Sequence, residues 1–154
     1  MSLSAAASPG QPDRQPQPHA APSALFTDLL AAHATLLERI KELESIAEHV
    51  EPSRLECMSA RLRLSQASID RRTALNRLLH CLGAKPDASA SPVLAKVRAA
   101  DGELIAHSVK HLAKWTAEAV ASDWRGYCEA SREMREHMAT TVVAEAELLR
   151  PLAR

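Results

Sequence analysis

Several polar side chains interrupt otherwise apolar stripes in this chain: His33, Ser65, Ser68, Arg72, His107, His111, Thr141 and Glu145. Imidazole nitrogens mixed with a carboxylate are the donor types that iron and manganese sites use. His107 and His111 are one helical turn apart and share a face, and His33 and Glu145 could join them from neighbouring helices. Each residue also has a plainer role. A histidine on an apolar stripe is commonly a hydrogen-bonded core residue, and Glu145 could pair with Arg72, a buried ion pair in which losing one partner costs roughly 3–5 kcal/mol. His137 sits at the edge of the last stripe, about 12 Å along a helix axis from Glu145, too far for the two to hold one ion.

The elements that position these groups must be helices. Aromatic residues make up 3% of the 154, Gly numbers 4, and Ala and Leu recur throughout, a composition that favours helix over strand. The length suits one domain. Lys plus Arg and Asp plus Glu are 19 each, so no net field steers the chain toward nucleic acid or an anionic membrane surface. Cys57, Cys81 and Cys128 are odd in number and lack paired short spacing, which disfavours a disulfide framework and a thiolate zinc site and points to a reducing compartment. Neither a signal-peptide pattern nor a run of roughly 18 apolar residues is visible, so the cytoplasm is the expected location.

Residues 1–22 contain Pro9, Pro12, Pro16, Pro18 and Pro22 among Ser, Ala and Gln, too little apolar surface to offset ordering, and read as a disordered tail. Residues 23–154 read as one helical domain. A first helix, with Ser23 as its cap, carries Leu29, His33, Leu36, Ile40, Leu43, Ala47 and Val50 on one face and stops at Pro52. A second runs from about Ser53 to Leu82 with Gly83 past its end; its stripe is Leu55, Met58, Leu62, Ser65, Ile69 and Arg72/Thr73 before Leu75, Leu78, Leu79 and Leu82. Its arginines, Arg54, Arg61, Arg63, Arg71, Arg72 and Arg77, read as a solvated basic face.

After the loop GAKPDASASP, a third helix spans about Pro92 to Ala121, with Val97, Leu104, Ser108/Val109, His111, Leu112, Trp115 and Ala119 on its face. Asp123 caps a fourth, whose stripe is Trp124, Tyr127/Cys128, Ser131, Met134, Met138, Thr141, Glu145, Leu148/Leu149 and Leu152. Four such helices with short links predict an all-α, up-down-up-down antiparallel four-helix bundle.

Residues 24–153 resemble the hemerythrin-like (HHE cation-binding) proteins of bacteria. DLLAAHATLLERIKELE is similar to their opening pattern and places His33 at the first ligand position. WTAEAVASDWRGYCEASREMREHMATTVVAEAELLRPLAR resembles their final stretch, placing Glu145 at the ligand carboxylate and Thr141 where a histidine is expected. In the second helix, SIDRRTALNRLL puts Ser68 and Arg72 at the positions of a histidine and an acid; the third can supply His111. The resemblance therefore implies a metal set of His33, His111 and Glu145 with Ser68, Arg72 and Thr141 as substituted ligands, so that the di-iron site is incomplete or lost. Iron is the implied cation, and no cofactor is the expectation for this substituted set.

The expected function is a binding or sensing module and not an enzyme. AHSVKHLAKW also resembles the core of histidine phosphotransfer domains, with His107 as phospho-acceptor and Lys110 three residues on, although His111 stands where those domains carry a glycine. A metal-free protein–protein interaction bundle is the third expectation; its protein partner is unidentified and homodimerisation is left open. Nucleophilic catalysis has no motif to support it: the cysteines lack a placed histidine beyond the adjacent His80–Cys81, and there is no glycine-rich phosphate loop.

Overall fold

The computed structural model describes residues 20–50, 53–84 and 87–154, so the expected tail lies outside the described residues up to residue 19, as does Pro52. The chain is all-helical: α1 is Pro22–Ala47, α2 Arg54–Gly83, α3 Ala90–Lys114, α4 Ala117–Ser122 and α5 Trp124–Leu149, with no strand among the described residues. None of these helices is long and apolar enough to cross a membrane.

The helix ends follow local chemistry. Pro22 opens α1, its fixed φ suiting the first helical position, and Ala21 is the N-cap without a side-chain bond; the expected Ser23 cap lies inside the helix. Ser53 caps α2 through a long bond from the Glu56 N–H at 3.4 Å. Gly83 forms the last residue of α2 and has no positive φ, so it does not act as a left-handed terminator. Asp123 caps α5 by accepting from the Gly126 N–H at 2.9 Å.

The expected third helix is two. It stops at Lys114, Trp115 leaves helical geometry at φ −100° and ψ 67°, and Thr116 restarts the chain by accepting from the Ala119 N–H at 3.2 Å. The break lets Trp115 turn inward against Tyr127, edge-on at 5.7 Å between ring centres.

Three layers of apolar side chains join the long helices. One gathers Leu25 and Leu29 of α1, Leu75 and Leu79 of α2, Leu94 of α3 and Leu149 of α5. The middle one gathers Leu36 and Ile40, Ala67, Leu104, and Met134 and Met138. The third contains Leu43 and Ile46, Cys57 and Ala60, Trp115, Val120 and Tyr127. α1 packs most extensively on α2 and α3 on α5, whereas α2 and α3 touch sparingly, which leaves a groove between them.

The buried face of α2 departs from the expected stripe. Cys57, Ala60, Ala67, Arg71, Leu75, Leu78 and Leu82 face the core, while Leu55 and Leu62 are 77% and 71% exposed. Carrying Leu75, Leu78 and Leu82 backward in steps of four and three gives Arg71, Ala67, Leu64, Ala60 and Cys57, one continuous face. The larger residues Leu55, Leu62 and Ile69 lie on another face. On α5, likewise, Val142 takes the core place expected of Thr141.

Candidate functional site

The corrected phase of α2 carries a charged side chain into the centre of the core. Arg71 is 1% exposed and its guanidinium faces two carboxylates. Nη1 donates to Glu145 Oε2 at 2.6 Å, and Nη2 donates to Asp101 Oδ1. The other oxygen of Glu145 lies 2.7 Å from His33 Nε2. His33, Arg71, Asp101 and Glu145 thus come one each from α1, α2, α3 and α5, between the outer leucine layer and the methionine layer.

Of the residues expected at a metal, His33 and Glu145 are brought together. The others lie elsewhere. Arg72 does not reach Glu145; the arginine one position earlier does, because the helix presents residue 71 and not 72 to the core. This corrects the expected Arg72–Glu145 pair, and also the reading of Arg71 as solvated. Ser68, Arg72 and His111 line the α2–α3 groove, and the Thr141 hydroxyl donates to the His137 carbonyl at 2.8 Å. His107 is exposed on α3, with Nδ1 3.0 Å from Nδ1 of His137.

Asp101 is not among the residues the sequence singles out, although Leu94, Val97 and Leu104 bracket it at helical spacing.

The donor set does not fit an iron pair. Such a site needs imidazoles and carboxylates converging on a common point, whereas here both acids are held by one guanidinium and the single imidazole is held by Glu145. No group of three or more His, Cys, Asp or Glu suited to a metal ion occurs among the described residues.

The groove between α2 and α3 is a separate feature from this filled centre. Its volume is about 210 Å³, below the ~300–1,000 Å³ of drug-sized sites. Leu64 and Ile69 of α2, Ile105 and Val109 of α3, and Met134 and Met138 of α5 supply apolar walls. Arg61, Arg72, Arg135 and His111 supply polar lining, and no carboxylate lines it. His111 reports the local field: burial first, then the positive charges of Arg61, His107, Arg135 and Lys114, push its pKa down to about 4. Burial likewise lowers the pKa of Arg135, opposed first by the carboxylate of Glu44 and then by Tyr127, Cys128 and Glu136.

No family model matches the chain, and no curated protein or solved structure does.

Proposed function

We propose that this protein is a hemerythrin-like binding or sensing module of the cytoplasm, without enzymatic activity, in which a guanidinium stands in place of a metal ion at the centre of the helices. The observation that carries this reading is Arg71 bound at once to Glu145 at 2.6 Å and to Asp101. A protein cation held by carboxylates from two helices performs the structural part of a metal's work, neutralising buried acids and tying helices together. The resemblance adds support through His33 and Glu145, which stand at ligand positions and meet at 2.7 Å.

The two outer layers support an up-down-up-down antiparallel arrangement of α1, α2, α3 and α5, because each gathers the start of one helix with the end of the next. Function then moves from the filled centre to the groove and the outer faces.

Metal analysis of the purified protein, with its visible absorption spectrum, tests the proposal. The expected result is no stoichiometric transition metal and no visible band. Two irons per chain with an oxo-bridge band would sink it.

A further inference from the structure

The groove between α2, α3 and α5 has an unusual electrostatic composition. Arg135 is 5% exposed, yet its guanidinium has no carboxylate partner among the described residues. Nη1 donates to the Ser131 hydroxyl at 2.7 Å, and Nε is buried without any partner. Glu44 and Glu136 offset this buried charge only through space, and a buried charge without a paired counter-ion is costly.

Arg61 stands near the same end of the groove. It donates to the Trp115 carbonyl and lies 5.3 Å from the centre of the Tyr127 ring, again without a carboxylate. The hydroxyl of Ser131 and the ring of His111 complete a polar end whose formal charge is positive. Away from it, Ile69, Ile105, Val109 and Met138 form apolar walls, with Ile69 and Val109 more than half exposed. The serines on the α2 and α3 walls, Ser65, Ser68 and Ser108, carry no charge that would oppose an anion.

We infer that this groove binds a small amphiphilic carboxylate, its head held by Arg135 with Arg61 and its short aliphatic body lying between α2 and α3. The planar fork of a guanidinium matches a carboxylate in two parallel hydrogen bonds, and of the Arg135 guanidinium only Nη1 has a hydrogen-bond partner among the described residues. Charge complementarity therefore selects the head, and the small apolar volume limits the body to a short chain. The inference rests on the reading of the chain as a binding module and supplies the ligand class for it.

Sodium octanoate is the probe, with 1-octanol as its uncharged counterpart and octyl phosphate as an alternative anion. Titration by calorimetry, with amide chemical-shift mapping of the folded full chain, should show one octanoate site. The shifts should fall on Ser65, Ser68, Ile105 and Met134. Octanol should bind at least tenfold more weakly, and Arg135→Gln should weaken octanoate at least tenfold.

Shift mapping on the unaltered chain keeps the test decisive if Arg135→Gln fails to fold, and Arg61→Gln then provides the second arm, with a severalfold loss expected. Absence of saturable octanoate binding, equal affinity for octanol, preference for octyl phosphate, or shifts outside the groove would each overturn the inference. None of these outcomes bears on the metal content, so failure here is distinguishable from failure of the guanidinium-centred reading.

Discussion

Arg71 and Glu145 are separated by 74 positions in the chain and by 2.6 Å in the core, and this contact fixes how α2 faces α5. Asp101 on the other guanidinium nitrogen and His33 on the far carboxylate oxygen extend it to all four long helices. A buried charge network of this kind constrains rotation of each helix about its axis, because turning any one helix by a residue would strand a charge in the core.

Arg71→Met should accordingly destabilise the protein by about 3–5 kcal/mol, since Glu145 and Asp101 lose their common counter-charge while remaining buried. Arg72→Met should cost below about 1 kcal/mol, as Arg72 makes no ion pair among the described residues and lines the groove. Urea denaturation of the two variants measures the contrast. Equal losses would mean that the two arginines are interchangeable and that the helix phase is wrong.

That contrast also shows what was legible in the chain. The all-helical class, the Asp123 cap and the inward placing of His33 and Glu145 follow from periodicity and turn chemistry, which act locally. The phase of α2 does not, because its core face in the first half is made of Cys57, Ala60 and Ala67 while Leu55, Leu62 and Ile69 face outward. Following large residues selects the wrong side; continuing the leucines of the second half selects Arg71.

Asp101 was hidden by its charge, although its spacing from Val97 and Leu104 marks it as core. The break after Lys114 has a local signal in Thr116, a good cap with Glu118 in the first turn after it, but the apolar run on either side reads as continuous. The groove was beyond reach altogether, since it depends on how sparingly α2 and α3 touch.

Gly102 lies inside α3, and a β-carbon there would have no neighbour within 4 Å. Gly102→Ala should therefore stabilise the protein by about 0.5–1 kcal/mol, through lower entropy of the unfolded chain and better helix propensity. A thermal scan should show a rise of about 1–4 °C. A fall would indicate that α3 needs local freedom at this point.

At the start of α5, Asp123 accepts from the Gly126 N–H at 2.9 Å, and a β-carbon on residue 126 would collide with the Asp123 carboxylate. Asp123→Ala should cost about 0.5–2 kcal/mol by removing the cap, and Gly126→Ala less, because Ala gains about 0.5–1 kcal/mol over Gly within a helix while it displaces the same cap. The double variant should cost no more than Asp123→Ala alone. Additive losses in denaturation would show that Gly126 has a separate role.

His111 makes stability depend on pH in a defined direction. Its pKa in the folded protein is lowered to about 4, mainly by burial and then by the charges of Arg61, His107, Arg135 and Lys114, with the Tyr127 ring beside it. The unfolded chain has an ordinary histidine near ~6.5. Above that value neither state binds the proton, and the two are on equal terms. As pH falls from about 6.5 toward 4 the unfolded state takes up the proton and the folded state resists it, so stability is lost across this window.

Solvent reaching the half-buried ring reduces the effect to on the order of 1–2 kcal/mol. His111→Phe removes the titrating group and keeps a planar ring beside Tyr127, so its stability should fall less steeply than that of the parent between pH 6.5 and 4. Denaturation midpoints at several pH values in this interval make the comparison; parallel curves for the two proteins would remove His111 as the source.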